Sequence, residues 1–210
     1  MNYAAHELLE MSEALRTKSA EIEMHGAFAA QCQDQQLKTI LMKHQQMMIQ
    51  SYQQGVSLLQ GKGGHITHQS PNFMQQSPSM GMQQPTMQGQ SSGMHQQSMA
   101  PQASAQSLSD QTMATLMLNT HKTGSMMGMQ WANECMDPQL RMFHVNCANL
   151  CQEMAYETWS WMNQKGYYNP QMFSTTQTTQ MTTMFQPMNS DTMQMMNQPM
   201  NNQNMSRNYQ

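Results

Sequence analysis

Charge is scarce in this sequence. Only 10% of its 210 residues are Asp, Glu, Lys or Arg, and the formal net charge is −3. No cluster of basic residues occurs, whereas a surface that binds nucleic acid needs several Lys or Arg side chains to neutralise phosphates. The composition therefore predicts that nucleic acid is not a partner.

Long apolar runs are also missing. No stretch of 18 apolar residues is present, so no membrane span is predicted. Residues 1–10 contain acidic side chains and no apolar run, which is not the pattern of a secretion signal. Four cysteines are few for a disulfide scaffold of this length. We therefore expect a protein that is made in the cytoplasm with reduced thiols.

The common catalytic motifs are missing as well. The sequence has no Gly-x-Ser-x-Gly, no phosphate-binding loop and no His-Glu-x-x-His. His144 and Cys147 are three residues apart, but no orienting acid accompanies them, so they make a weak nucleophile pair. The sequence predicts a protein that is not an enzyme, with no catalytic residue and no cofactor.

What the sequence has in abundance is methionine, with 30 residues, together with glutamine-rich segments. The low-charge regions 61–108 and 169–210 consist mainly of Gln, Met, Ser, Thr, Asn, Pro and Gly. Such segments bury too little apolar surface to offset the entropy of ordering, so they are predicted to be a disordered linker and a disordered tail. Thioethers can bind Cu(I), but the irregular Met spacing favours an adhesive, adaptable surface that self-associates.

Helical spacing dominates the two charged regions. Small and apolar residues recur at alternating steps of three and four, which predicts helices near 2–31, 35–60, 110–135 and 138–165. The predicted buried stripes are Leu8, Ser12, Leu15, Ser19, Ile22, Gly26 and Ala29; Leu37, Ile40, His44, Met47, Ser51, Gln54 and Leu58; Met113, Met117, Thr120, Gly124, Met127, Trp131 and Glu134; and Leu140, Phe143, Cys147, Leu150, Met154, Glu157 and Trp161. Each stripe is too thin to be stable alone, so we expect an all-α four-helix bundle made of two helical hairpins, 1–60 and 109–168.

An internal repeat supports the two hairpins. Residues 32–38 and 135–141 share the pattern Cys-x-Asp-x-Gln-Leu-basic, and each copy lies between two predicted helices. Asp34 and Asp137 are natural N-caps, because a carboxylate accepts the free N–H groups of the next turn. Pro138 suits the first helical position, where its missing N–H has no partner to lose.

Two sets of side chains could hold a metal. Glu134, Glu157 and His44 lie on predicted buried stripes, but both glutamates lie near helix ends, where water, Arg141 or Lys165 could reach them. The Glu-x-x-His motif of di-iron bundles is missing. The sequence therefore predicts no metal site among these residues.

The second set is His144, Cys147 and Cys151, whose spacing of three and four places them on one side of the last helix. Cys32 or Cys135 could supply a fourth ligand only with favourable geometry. Three interpretations stay open for these cysteines: core packing, crosslinking to other proteins, and binding of zinc or copper. His65 and His68 lie in the predicted linker, and two ligands do not make a site.

The second hairpin carries an acid before its turn, an Asp-Pro-x-Leu-Arg turn and a closing Met-x-x-Lys-Gly-Tyr-Tyr-x-Pro. The positions of these features are Glu134, Asp137, Pro138, Leu140, Arg141, Met162, Lys165, Gly166, Tyr167, Tyr168 and Pro170. In these features the chain resembles the Coat F domain of bacterial spore coat proteins, well over about 110–172 and more loosely over 1–60. The resemblance implies a ferritin-like bundle in the endospore coat, with other spore coat proteins as partners. A metal-binding ferritin relative and a partner-binding adaptor in sporulation are the alternatives.

Overall fold

The computed structural model describes residues 3–69 and 107–187, and every regular element within these ranges is a helix. The helices are α1 (Ala5–Gln31), α2 (Gln35–Leu59), α3 (Asp110–Glu134), α4 (Pro138–Gln164) and α5 (Thr175–Thr182). The all-α prediction is confirmed, and the four long helices have the predicted bounds to within three residues. The predicted linker and tail lie largely outside the described residues.

Two hairpins form the bundle. Helix α1 packs along α2, and α3 packs along α4. The hairpins join because α2 also contacts α4 and α1 contacts α3. The predicted four-helix bundle of two hairpins is therefore confirmed. Helix α5 belongs to a second unit that begins at Pro170, and all of the residues of α5 are exposed.

The repeated segment forms the same turn in both hairpins. Cys32 ends α1 and Cys135 ends α3 as extended C-caps. Asp34 accepts hydrogen bonds from the N–H groups two and three residues ahead at 2.9 Å, and Asp137 does the same at 2.8 and 3.0 Å. Pro138 is the first residue of α4. The predicted N-caps are confirmed.

Glycines allow the close approach of α3 and α4 that small residues on the stripes predict. A Cβ on Gly128 would lie 3.2 Å from the backbone nitrogen of Ala148, and one on Gly124 would lie 3.0 Å from Cys151 Sγ. The hairpin ends at Gly166, whose φ of 76° is the left-handed conformation that glycine adopts without strain. This confirms the predicted end of the second hairpin at Lys165–Gly166.

The predicted stripe of α1 is wrong by one position. Of its seven residues only Ala29 is buried, and the face turned into the bundle carries Glu7, Met11, Ala14, Lys18, Glu21, His25 and Phe28. One residue is about 100° of helix rotation, so the two patterns lie on adjacent faces. The reason is that four polar side chains of α1, those of Glu7, Lys18, Glu21 and His25, are buried, whereas the sequence pattern predicts that glutamates such as Glu7 and Glu21 lie off the buried face. In α3 the predicted stripe departs from the buried face beyond Met117.

Each hairpin caps the other through an acidic residue in a first helical turn. Glu7 of α1 accepts hydrogen bonds from the backbone N–H groups of Met136 and Asp137, both at 2.7 Å. Asp110 of α3 accepts from the equivalent N–H groups of Gln33 and Asp34, at 3.0 and 2.8 Å. The two contacts use the same positions of the repeat, so the hairpins interlock reciprocally.

This interlock gives a first prediction. Glu7→Gln should lower the free energy of unfolding by about 1–2 kcal/mol, because it removes the charge from buried, charge-assisted hydrogen bonds. Urea denaturation followed by circular dichroism measures the loss. The matched control is Glu13→Gln on the exposed side of α1, with an expected change within about 0.5 kcal/mol. Equal losses in the two variants would show that the contact to the second hairpin contributes nothing.

Residues 61–69 run along the bundle. Ile66 is buried beside Leu140 and Phe143, and its N–H donates to Gln139 Oε1 at 2.6 Å. Asn146 makes two hydrogen bonds to the same segment. Its Nδ2 donates to the Thr67 carbonyl at 2.9 Å, and its Oδ1 accepts from the Gln69 N–H at 3.0 Å. The start of the predicted linker is therefore packed on α4.

Candidate functional site in the bundle core

Three histidines from three helices meet in the core. His25 of α1, His44 of α2 and His121 of α3 are each 0% exposed. Their ring centroids lie 5.2 to 6.0 Å apart, and one ligand atom from each lies within 4.8 Å of the others. We call these three residues the histidine triad.

Hydrogen bonds fix the orientation of the triad. His25 Nδ1 lies 2.6 Å from the Glu21 carbonyl oxygen, one turn earlier, and His25 Nε2 lies 3.3 Å from His121 Nε2. His44 Nε2 lies 2.8 Å from a carboxylate oxygen of Glu157 on α4. The same carboxylate pairs with Lys43 at 2.9 Å. All four long helices therefore contribute to the site.

Burial keeps the three imidazoles neutral near pH 7. It lowers the pKa of His25 to about 4, against a smaller opposing effect of the hydrogen bond to the Glu21 backbone. Burial also lowers the pKa of His44, although Glu157 acts in the other direction, and it lowers the pKa of His121 well below the usual value. The His44–Glu157 contact is therefore a hydrogen bond from a neutral ring, and Lys43 is the cationic partner of the carboxylate.

Two of the four residues of this site lie on the buried stripes predicted from the sequence. His44 and Glu157 lie on predicted stripes, whereas His25 and His121 fall on faces that were predicted to be less buried. The available signal was the period itself: His25 follows Glu21 by four residues, and His121 follows Leu118 by three, on the faces that are buried.

The expected environment is wrong for Glu157 and confirmed for Glu134. Glu157 is half-buried against Lys43 and His44, and Lys165 instead pairs with Asp34 at 2.6 Å. Glu134 is exposed at the end of α3, where water reaches it. Burial and the neighbouring Glu134 carboxyl raise the pKa of Glu10. The structure therefore separates the two glutamates that the sequence paired as candidates.

The predicted set His144, Cys147 and Cys151 lines one cavity of about 340 Å³ between α1, α3 and α4. Among the described residues, however, only the histidine triad brings three ligand atoms of His, Cys, Asp or Glu within 4.8 Å. Cys32 and Cys135 are at the two hairpin turns and are not part of the cavity lining. The three predicted residues share a cavity without converging on a point.

Two charged residues of α1 complete this cavity. Lys18 is 6% exposed and Glu21 is 7% exposed. Burial raises the pKa of Glu21 to about 7, partly opposed by Lys18. Burial raises the pKa of Cys151 to about 12, so this thiol stays protonated and is a poor nucleophile near pH 7.

His144 makes stability depend on pH. Burial, with a smaller effect of Lys18, lowers its pKa from 6.5 to about 4, and its Nε2 is buried with no hydrogen bond to the described residues. The unfolded chain binds a proton at this side chain between pH 6.5 and 4 while the native chain does not, so stability falls as the pH drops through this window. Its share of the loss by pH 5 is on the order of 2 kcal/mol.

A His144→Gln variant should therefore lose less stability between pH 7 and pH 5 than the parent protein. The measurement is urea denaturation at several pH values. The other groups facing the cavity, Lys18, Glu21, Cys147 and Cys151, are unchanged in both proteins. Parallel pH profiles for variant and parent would show that His144 does not bind the proton in question.

Comparison with known proteins identifies one domain. Residues 109–171 match the family model described as the Coat F domain, which spans α3, α4 and the closing motif. No curated protein and no solved structure matches this chain. Within the described ranges, none of the helices has the length and apolar character needed to cross a bilayer.

Proposed function

We propose, from the premise that this chain carries the Coat F domain of spore coat proteins, that it is a non-enzymatic structural component of the bacterial endospore coat. In this proposal the helical bundle is a rigid core, and the Met- and Gln-rich segments attach it to other coat proteins. The bundle needs both hairpins, so residues 1–60 complete a core that the Coat F hairpin cannot bury alone.

The observation that carries this proposal is that the residues of the closing motif, 162–170, pack and pair within the bundle. Lys165 pairs with Asp34 of the first hairpin, Gly166 provides the left-handed turn, and Tyr167 packs on the Trp161 ring at 5.6 Å. Tyr168 accepts a hydrogen bond at its carbonyl from Asn163 at 2.8 Å. These family residues hold the bundle together and do not converge on a reaction centre, which supports a structural role.

The adhesive role of the segments 61–108 and 170–210 is supported by their composition. Between them they contain only three charged residues, Lys62, Asp191 and Arg207. Low charge removes the repulsion that keeps proteins apart, and amide and thioether side chains offer many weak contacts. Many weak contacts on one tethered segment act together through effective concentration.

Disulfide crosslinking is the nearest rival for assembly. Of the four free thiols, Cys32 and Cys151 are buried. Burial, assisted by Asp110, raises the pKa of Cys32 to about 11, and burial with Glu10 and other acids raises that of Cys135 to about 11. A protonated thiol attacks slowly, so the folded bundle favours non-covalent assembly.

The test is deletion of residues 170–210 in sporulating cells that carry a tagged copy. The truncated protein should be folded and made in normal amount but enter the coat poorly. The matched control is a variant that keeps residues 170–210 but in scrambled order. This variant should assemble like the full-length protein, because the proposal assigns adhesion to the composition of the segment and not to the order of its residues.

Two outcomes would contradict the adhesive role. If the truncated protein localises and resists extraction like the full chain, the bundle surface carries assembly, including the exposed Met126, Met129 and Met136. If reducing extraction frees all of the full-length protein, disulfides carry it. A tagged protein found in the sporulating cell but never in the coat fraction would favour the partner-binding adaptor.

A further inference from the structure

We infer that the histidine triad binds one divalent late first-row transition-metal ion, and that Zn²⁺ fits it best. This site goes beyond the structural role proposed above. The sequence alone predicts no metal, because it lacks the Glu-x-x-His motif and because His25 and His121 lie off the predicted buried stripes. The observation that changes this expectation is the convergence of three imidazoles from α1, α2 and α3 in the core.

The spacing of the nitrogens matches a zinc site. Zn–N bonds are about 2.0–2.1 Å long, and two such bonds at a tetrahedral angle place their nitrogens about 3.3–3.4 Å apart. His25 Nε2 and His121 Nε2 lie 3.3 Å apart. The third imidazole, His44, offers a ligand atom within 4.8 Å of those of the other two, so His44 must move closer to share one ion with them.

The hydrogen bonds around the triad hold the rings as metal ligands are held. Ligand histidines usually donate their second N–H to a carbonyl or a carboxylate, which fixes the tautomer. His25 Nδ1 is in position to donate to the Glu21 carbonyl, which leaves the lone pair on Nε2. A proton on His44 Nε2, shared with Glu157, leaves the lone pair of that ring on Nδ1. The Glu21 carbonyl therefore orients His25, and the Glu157 carboxylate orients His44.

The donor set selects the class of metal. Three neutral nitrogen ligands suit Zn²⁺, Co²⁺, Ni²⁺ or Cu²⁺, whereas Ca²⁺ and Mg²⁺ require oxygen ligands. Glu157, whose carboxylate lies 2.8 Å from His44 Nε2 and 2.9 Å from Lys43 Nζ, places a carboxylate beside the site of a buried divalent ion. Three protein ligands leave a fourth position for water or a small anion.

The competing interpretation is a hydrogen-bonded histidine cluster that packs the core. In that case His25 and His121 share one N–H···N bond. His121 Nδ1 is buried and has no hydrogen bond to the described residues. A neutral ring whose Nε2 donates to His25 leaves Nδ1 as an acceptor without a partner among the described residues, and a metal on Nε2 makes the same Nδ1 a donor without such a partner. This atom therefore favours neither interpretation. The two interpretations differ in whether metal changes the stability of the protein.

The experiment uses the purified full-length protein, stripped with a chelator and partially unfolded in urea so that a buried site can load. Refolding with Zn²⁺ or Co²⁺ should give one ion per chain. The Co²⁺ form should show the strong visible bands of a tetrahedral site without thiolate charge transfer, and both metals should raise the midpoint of thermal unfolding. His25→Gln and His121→Gln should each weaken metal binding roughly 100-fold, and Glu157→Gln roughly 10- to 100-fold.

The matched control is His144→Gln, which replaces a buried histidine of the adjacent cavity and should leave metal binding unchanged. The inference is overturned if the parent protein binds neither ion stoichiometrically, or if His144→Gln weakens binding as much as His121→Gln. Thiolate charge-transfer bands would overturn it too, because they would assign the metal to Cys147 and Cys151. If the triad variants do not fold, the spectrum and stoichiometry of the parent protein decide alone.

Discussion

Replacing Trp161 with Ala is expected to lower the free energy of unfolding by about 4 kcal/mol. The indole is 1% exposed and lies in the core that contains residues of all four long helices. Its Nε1–H also donates to Asp34 Oδ1 at 3.2 Å, so the substitution removes a hydrogen bond between the hairpins together with the largest buried side chain. Urea denaturation followed by circular dichroism measures the loss.

Trp159→Ala is the matched control, two residues away on the same helix. Trp159 is only partly buried and stacks on Tyr156 with ring centroids 5.6 Å apart. The control should therefore lose roughly half as much stability, because partial exposure leaves less apolar area to lose. Equal losses for the two tryptophans would show that Trp161 does not anchor the end of α4 in the core.

The helices and turns of this protein could be predicted because their determinants are local. Asp34 and Asp137 cap the helix that follows each of them, and this requires only neighbours two and three residues away. Pro138 and Gly166 mark the two ends of α4 by backbone conformation alone. Such signals survive in any tertiary context, so a sequence pattern is enough to find them.

The burial of α1 could not be predicted, because its buried face is polar. Burial raises the pKa of Glu21 to about 7 and lowers the pKa of His25 to about 4, so both side chains lose charge in the core, and His25 also contacts His121 of α3. Sequence periodicity depends on residue types and not on their tertiary partners, so a charged residue such as Glu21 was predicted to lie off the buried face. The same limit applies to the packing of Ile66, whose partners lie on α4.

For the same reason only His44 and Glu157 of the candidate site could be predicted from the sequence. The triad depends on distances between residues that are far apart in sequence, such as His25 and His121, which are separated by 96 positions. Nothing in the local sequence of either histidine specifies the other. The Glu-x-x-His motif is local and could have been found, but this chain brings its ligands together from three helices without it.

The repeat also offers a matched test of how the hairpins are joined. Asp34→Ala should lower the unfolding free energy by about 3 kcal/mol, and Asp137→Ala by only about 1 kcal/mol. Both substitutions remove an N-cap, which costs about 1 kcal/mol. Asp34 in addition accepts from Trp161 Nε1 and pairs with Lys165, both on α4.

The difference of about 2 kcal/mol has a physical origin. Without Asp34 the indole N–H of Trp161 lacks its partner, which costs about 1–3 kcal/mol for a buried donor, while the half-exposed Lys165 pair contributes less than about 1 kcal/mol. Comparison of the two variants in the same urea series cancels the shared loss of the cap. If Asp34→Ala and Asp137→Ala lose equal stability, the contacts of Asp34 with α4 do not hold the first hairpin to the Coat F hairpin, and apolar packing alone joins them.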